Sequence, residues 1–228
     1  MINLHNVDCM EFMRGLPDKA YDLAIVDPPY GIGASGSFGH YWNSTAGKPA
    51  KSGLRNVSKQ WDTAIPGSEY WSELIRVSRD QIVWGGNYFT EHLPPSRGWI
   101  GWDKKQPEAA SFAMLELAWT SFDCVINMFR MWSSHVTQGE RIHPTQKPVA
   151  LYRWILHNYA KPGQKILDTH GGSMSIAIAC DIEGFDLDLC ELDKDYFEAG
   201  KKRLEAHQAQ PRMFDAPKAQ PAQQLTLE

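Results

Sequence analysis

Short continuous apolar runs alternate along the chain with segments in which apolar residues recur every three or four positions. The runs predict buried strands, and the recurring spacing predicts helices. We expect strands over 2–5, 21–26, 81–84, 99–102, 114–120, 165–168 and 185–190. We expect helices over 9–14, 67–79, 149–159, 174–180 and 193–205. The alternating segment 124–132 is predicted to pair with the strand before it as a hairpin.

This alternation predicts an α/β fold in which a mostly parallel sheet carries helices on both faces. The 228 residues, 43% of them hydrophobic, suit one domain with a normal core. We expect that domain to span 1–206, with an inserted loop at 31–64 and short target-recognition elements within 31–142. Residues 207–228 are rich in Gln, Ala and Pro, so this tail is predicted to be disordered.

The first candidate site is Asp27-Pro28-Pro29-Tyr30, which ends the predicted strand over 21–26. Two prolines stop the strand ladder and fix φ twice, so the chain leaves the sheet rigidly. The Asp27 carboxylate and the Pro28 carbonyl supply two acceptors, and Tyr30 supplies a flat surface. That set suits an exocyclic amino group on a planar base, although Asp-Pro-Pro also occurs in ordinary turns.

The second candidate site is a glycine turn between a strand and a helix, comprising Asp168, Thr169, His170, Gly171, Gly172 and Ser173. Glu191 ends the following strand, where an acid binds ribose hydroxyls in nucleotide-binding α/β folds. Neither G-x-G-x-x-G nor a P-loop occurs. An acid before the glycines suits a cationic ligand with hydroxyls better than a phosphate, and S-adenosylmethionine fits that description. A purely structural turn is the alternative.

A third segment, His143-Pro144-Thr145-Gln146-Lys147-Pro148, precedes a predicted helix. Its polar donors could bind a carboxylate beside the helix N-terminus, or the segment could be only a capped turn. Alone it is a weak signal.

The distribution of charge along the chain bears on whether the protein binds nucleic acid. The net charge of −4 argues against a nucleic-acid partner, because phosphate neutralisation dominates such binding. However, no Asp or Glu occurs from Pro28 to Trp61, where four basic residues fall: Lys48, Lys51, Arg55 and Lys59. We predict a mobile, positive, DNA-binding loop there, with a solvated loop of no role as the alternative.

Four scattered cysteines, no metal-ligand spacing, no apolar run of membrane length and no signal sequence predict a cytoplasmic protein without metal.

Together, the three segments resemble the DNA amino-methyltransferases with the permuted, β-type order of motifs. In that family a DPPY motif comes first, an HPTQKP-like motif follows, and the glycine loop lies near the C-terminus. Asp8-Cys9 and the helix after Glu191 match the family as well, so the resemblance covers residues 1 to 205. It implies a Rossmann-like fold with a seven-stranded, mostly parallel sheet and a C-terminal antiparallel hairpin.

The resemblance also implies residue roles and partners. Asp168, His170, Gly171, Gly172 and Ser173 would hold the methionine part of S-adenosylmethionine, and Glu191 would take the ribose hydroxyls. Asp8 and Cys9 would lie near the adenine ring of the cofactor, and Thr145 and Lys147 near its carboxylate. Asp27, Pro28, Pro29 and Tyr30 would form the catalytic face, with Asp27 also beside the cofactor. The partner would be double-stranded DNA with its target base flipped out of the helix.

The glycine loop departs from the family pattern Asp-Pro-Phe-x-Gly-Ser-Gly. Thr169 and His170 replace Pro and Phe, and Met174 replaces the last Gly. This change leaves several functions open. An acid at the first motif position favours methylation of adenine N6, as by a restriction-modification methylase, and cytosine N4 is the alternative target. A second alternative is a catalytically silent DNA-binding subunit, and a third is a methyltransferase that acts on an RNA or protein amine. A homodimer, and sliding-clamp binding through the tail end Gln224–Glu228, also stay open.

Overall fold

The computed structural model describes residues 1–33, 61–106, 113–132 and 141–210 of the chain. These residues form one eight-stranded sheet and five α-helices. The strands are β1 (Ile2–His5), β2 (Tyr21–Val26), β3 (Ser78–Trp84), β4 (Trp99–Asp103), β5 (Leu115–Thr120), β6 (Asn127–Arg130), β7 (Lys165–Asp168) and β8 (Asp186–Cys190). The helices are α1 (Cys9–Arg14), α2 (Ser68–Val77), α3 (Val149–Tyr159), α4 (Ser175–Glu183) and α5 (Lys194–Gln208).

The sheet has the strand order β1-β8-β7-β2-β3-β5-β4-β6. The first five strands in this order are mutually parallel, so their carboxyl ends share one edge. Strand β5 runs antiparallel to both of its neighbours, β3 and β4. The predicted α/β fold with a mostly parallel sheet is confirmed.

Two buried clusters cover the two faces of the sheet, as the continuous apolar strands predict. Along β2, Leu23 and Ile25 belong to the cluster beneath α3 and α4. Ala24 and Val26 belong to the other cluster, which includes buried residues of α1 and α2. Because successive strand residues point to opposite faces, a run that is apolar at every position fits a strand covered on both sides.

Three details of the predicted sheet are wrong. Eight strands are described instead of seven, and the C-terminal strands β7 and β8 are parallel instead of forming an antiparallel hairpin. Helix α4 joins them, and such a crossover returns the chain in the same direction. The antiparallel pairs lie mid-chain, at β5. Strand β6 pairs parallel with β4 because both edges of β5 are already occupied.

The predicted tail begins two residues too early, because α5 continues through His207 to Gln208. The basic residues of the predicted loop lie outside the described ranges, as do the tail residues beyond 210. The division of the chain into a domain, a loop and a tail therefore stays a prediction. No helix within the described ranges is long and apolar enough to cross a membrane.

Candidate active site

The carboxyl ends of β2, β7 and β8 border one cavity of about 650 Å³. Because parallel strands end at the same edge, loops distant in sequence meet there. Eleven of the predicted catalytic and cofactor residues line this cavity: Asp8, Cys9, Asp27, Pro29, Thr145, Lys147, His170, Gly171, Gly172, Ser173 and Glu191. Pro28 and Asp168 are buried, and neither they nor Tyr30 line the cavity. The three sequence segments thus form one site.

Both carboxylate oxygens of Asp27 have partners inside the protein. The Tyr30 hydroxyl donates to Oδ1 at 2.6 Å, and the Lys147 ammonium donates to Oδ2 at 2.5 Å. Burial, and next the charge of Asp27, raise the pKa of Tyr30 well above its usual value, so the phenol keeps its proton. The Asp27 carboxylate is therefore fixed in position before any substrate arrives.

The Tyr30 ring lies against other aromatic groups. It stacks on Tyr88 with ring centroids 5.0 Å apart and meets Phe89 edge-on at 6.0 Å. Gly85 makes this approach feasible, since a Cβ there would fall 2.2 Å from the Tyr30 ring. Tyr88 is 43% exposed and forms the outer layer of the stack.

Lys147 is 3% exposed and lies between two carboxylates. Its ammonium is 2.5 Å from Asp27 and 3.3 Å from Glu116 of β5. Glu116 also pairs with Lys104, which completes a row of alternating charges. Burial lowers the pKa of Lys147, but Asp27 and Glu116 outweigh this effect and the pKa is raised. Lys147 therefore carries its charge into the protein interior.

Backbone hydrogen bonds hold the glycine loop. Gly171 donates to the Cys190 carbonyl at 2.8 Å, and Gly172 donates to Glu191 Oε2 at 2.7 Å. A Cβ at Gly171 would fall 2.3 Å from the Leu189 side chain, and Gly172 has a φ of +48°. Both glycines are thus required for the shape of the loop. The Arg203 guanidinium closes the loop by donating to the Ser173 carbonyl at 2.6 Å.

Met174, which stands at the last glycine of the family pattern given above, has the backbone conformation that glycine favours. Its φ of 55° and ψ of 30° are left-handed, a conformation that costs a non-glycine residue roughly 1–2 kcal/mol. Its side chain is completely buried and packs against Gly200 of α5, where a Cβ would lie 2.6 Å from Met174 Cγ. Burial of such a side chain contributes about 1.5–3 kcal/mol, which offsets the strain.

Thr169 and His170, the other two departures, belong to a hydrogen-bond chain. His170 Nδ1 lies 2.8 Å from Thr169 Oγ1, which lies 2.7 Å from the Tyr70 hydroxyl of α2. Burial lowers the pKa of His170 to about 4, so the imidazole is neutral at pH 7. The pair therefore attaches the loop to α2 without adding charge.

The remaining predicted cofactor residues have structural contacts of their own. Asp8 caps α1, accepting from the Met10 amide at 2.7 Å. Burial raises the pKa of Cys9 to about 12, so its thiol stays neutral. Thr145 Oγ1 lies 3.1 Å from His143 Nδ1. The cofactor roles of these residues stay predictions.

Sequence reasoning missed Trp61 and Tyr196, two aromatic residues of the cavity wall that lie against His143. The His143 ring lies between Trp61 and Tyr196, with centroid distances of 5.1 and 4.4 Å. All three rings line the cavity. Glu116 was missed as well, although a lone acid in the apolar strand LELAWT could have indicated it.

Residues 96–202 match the family model described as DNA methylase. YubD of Escherichia coli K12 is 26% identical over 216 residues, which cover 88% of this chain and 89% of that protein. The type II methyltransferase M.HpaI of Haemophilus parainfluenzae is 24% identical over 239 residues, covering 87% of this chain and 73% of that protein. The chain is similar to DNA methylases of the N6/N4 class. The resemblance that the motifs indicate is confirmed.

Solved structures of DNA methylases share the fold. The complex of M1.HpyAVI with SAM has a TM-score of 0.58 at 17% identity, covering 89% of this chain and 100% of that one. The cytosine-N4-specific PvuII methyltransferase also has a TM-score of 0.58, at 11% identity, covering 94% and 88%. The predicted methyltransferase fold is therefore confirmed. S-adenosylmethionine, the methyl donor of this DNA methylase family, is confirmed as the cofactor class.

Proposed function

We propose that this protein transfers a methyl group from S-adenosylmethionine to the exocyclic N6 amine of adenine in double-stranded DNA. The observation that carries the proposal is the meeting of Asp27 with the glycine loop and Glu191 around one cavity. An acceptor for an amine and a cradle for a nucleoside cofactor then lie in the same space, which methyl transfer between them requires.

The cavity suits the cofactor by shape and charge. Four acids line it, Asp8, Asp27, Glu191 and Asp193, against two lysines, Lys147 and Lys194, so its wall carries a net negative charge. Such a wall favours the sulfonium and amino groups and disfavours a phosphate. Glu191 would take the ribose hydroxyls, and its fixed orientation supports this, since Gly172 and Asp193 donate their amides to its two oxygens at 2.7 and 2.8 Å. Gly171, Gly172 and Ser173 would border the methionine part.

When bound, S-adenosylmethionine supplies an electrophilic methyl group. The protein's task is to make the amine nucleophilic, because conjugation with the ring withdraws its lone pair. An ionised carboxylate has about four lone-pair sites, so Asp27 can accept an amine N–H while it keeps Tyr30 and Lys147. Together with the Pro28 carbonyl it would favour a pyramidal nitrogen, and its charge would stabilise the cationic nitrogen that forms.

The choice of adenine over cytosine rests on the acid at position 27. Both bases present an exocyclic amine to the same acceptors, so cytosine N4 is the outcome that would correct the base while leaving the chemistry intact. The stacked pair of Tyr30 and Tyr88 offers an aromatic surface for a flipped base, and such stacking contributes roughly 1–3 kcal/mol.

DNA would meet the basic residues Lys48, Lys51, Arg55 and Lys59, which compensate locally for the acidic balance of the chain. The cytoplasmic location, a homodimer and clamp binding by the tail stay predictions.

The test is transfer of isotopically labelled methyl to genomic DNA from a strain without methylases, followed by digestion and mass spectrometry of the nucleosides. We expect N6-methyl-2′-deoxyadenosine from the wild type and none from Asp27→Ala. Asp123→Ala is the matched control, because Asp123 is 83% exposed and does not line the cavity. Label in N4-methylcytosine would replace the base assignment, and label in neither base would overturn the proposal.

A silent DNA-binding subunit is the competing function, motivated by the altered glycine loop. Calorimetry with S-adenosylmethionine separates the two. Because the left-handed turn at Met174 keeps the shape of the glycine loop, we expect saturable 1:1 binding of S-adenosylmethionine. Absence of binding would favour the silent subunit.

A further inference from the structure

The buried row of charges behind Asp27 belongs to the site, although only two of its members were singled out in the sequence. From the cavity inward the order is Asp27, Lys147, Glu116 and Lys104. These residues come from the end of β2, the segment before α3, strand β5 and the residue that follows β4. Four separate parts of the chain thus converge on one charged row, in which Lys147 is buried and the other three side chains are partly buried.

Such a row is costly, because each buried charge loses its hydration. Well-packed apolar residues of similar size are often as stable as a buried ion pair, so stability alone does not explain the row. Lys147 is buried with its ammonium 5.2 Å from the Trp84 ring and 5.8 Å from the Tyr30 ring, which restricts where it can point. The ammonium lies 2.5 Å from Asp27 Oδ2, 3.3 Å from Glu116 Oε2 and 3.4 Å from the Tyr30 hydroxyl, so its charge is shared between two carboxylates.

The sharing governs how much negative charge Asp27 presents to the cavity. A lysine paired with Asp27 alone would neutralise it and weaken it as an acceptor for an amine. The negative charge of Glu116 offsets part of the positive charge of Lys147. Burial raises the pKa of Glu116, but Lys147 and Lys104 outweigh this effect, and the pKa is lowered. Glu116 is therefore ionised and available for this role.

We propose that Glu116 is a positioning residue, which acts through Lys147 to hold the Asp27 carboxylate oriented and negatively charged toward the substrate amine. Lys104 supports Glu116 from the other side. This inference rests on the proposed methyl transfer, since it assigns the amine to Asp27. Glu116 lies on β5 and is not among the residues that line the cavity, so it would act from outside the cofactor site.

The kinetic test compares Glu116→Gln, Glu116→Asp and Glu69→Gln. Glutamine keeps the size of the side chain and removes its charge, and Glu69 is a matched exposed glutamate paired with Arg14 at 2.7 Å. For Glu116→Gln we expect kcat to fall about 10- to 100-fold, with the KM for DNA and the Kd for S-adenosylmethionine within threefold. We expect Glu116→Asp to recover part of kcat and Glu69→Gln to match the wild type.

A second readout does not depend on activity. The ammonium of a buried, hydrogen-bonded lysine gives a proton–nitrogen NMR signal, which the loss of that signal in Lys147→Arg would assign. We expect the Lys147 signal to shift in Glu116→Gln and to stay in place in Glu69→Gln.

The outcomes separate the two proposals. An inactive wild type with a Lys147 signal that responds to Glu116→Gln would overturn the proposed methyl transfer and retain the coupling. An active wild type in which Glu116→Gln changes neither kcat nor the Lys147 signal would overturn the positioning role. A fall in melting temperature with unchanged kcat would also overturn it, because Glu116 would then be only structural.

Discussion

The two loops that face the cavity follow neighbouring strands, β2 and β7, yet they are held in different ways. The loop after β2 is held by side-chain charge, with the Lys147 ammonium on Asp27 at 2.5 Å. The glycine loop is held through its backbone groups, since Gly171 donates to the Cys190 carbonyl at 2.8 Å and Gly172 donates to Glu191. Arg203 also donates to the Ser173 carbonyl, and Met174 packs against Gly200. In the proposed function, the first loop would present charge to a reacting amine and the second would shape a cradle for the cofactor.

The difference explains why the unusual glycine loop still has the expected shape. A loop held by the backbone tolerates new side chains as long as φ and ψ are kept, and Thr169, His170 and Met174 all find partners. A loop held by paired charges does not tolerate the loss of one partner, because the other is then left buried and alone.

The largest effect is expected at Lys147. Lys147→Met leaves Asp27 and Glu116 without their shared cation, so we expect the free energy of unfolding to fall by about 3–5 kcal/mol in urea titrations. Arg153→Met, which breaks an exposed ion pair with Glu183, should cost less than about 1 kcal/mol. Equal effects of the two substitutions would remove the distinction between the loops.

Glu191→Gln tests whether the glycine loop and Glu191 bind S-adenosylmethionine. The amide keeps the size of the side chain but weakens the acceptor that holds Gly172 and the predicted ribose hydroxyls. We expect the Kd for S-adenosylmethionine to rise about 10- to 100-fold in calorimetry, while stability falls by roughly 1–2 kcal/mol. Unchanged affinity would take Glu191 out of the cofactor site.

A double-mutant cycle tests the packing of the loop. Gly200→Ala brings a Cβ to 2.6 Å from Met174 Cγ, so we expect a loss of about 1–3 kcal/mol. In the Met174→Gly background the same substitution should cost markedly less, because the obstructing side chain is gone. Additive effects would show that Met174 and Gly200 do not support each other.

A pH-dependent effect is expected at Asp168, which is buried at the end of β7. Burial raises its pKa from about 4 to about 8. From pH 4 to 8 the unfolded state loses this proton and the folded state keeps it, so the contribution to stability falls as pH rises and levels off above pH 8.

As the pH increases from 5 to 8, the melting temperature of Asp168→Asn should therefore rise by several degrees relative to that of the wild type. Asp123→Asn, at an exposed aspartate, serves as the control. A difference that stays constant with pH would contradict the raised pKa.

The sequence predicted the parts of the site that depend on local order. Asp27 and Glu191 each follow a short predicted strand, and parallel strands bring such ends together regardless of which strands are neighbours. The contact of Glu116 with Lys147 depends on the insertion of β5 between β3 and β4, which no local pattern reveals. The contact of Met174 with Gly200 likewise requires α5 to pack on the glycine loop. A glycine within a predicted helix does not indicate which side chain packs against it.

The central claim is that Asp27 binds an amine of DNA beside a bound methyl donor. Its most direct measurement is the transfer of labelled methyl to unmodified duplex DNA by the wild type and by Asp27→Ala, with cofactor affinity measured on the same samples. The account predicts labelled N6-methyl-2′-deoxyadenosine only in the wild type, at cofactor Kd values that agree within threefold. Methyl transfer that survives in Asp27→Ala would contradict it.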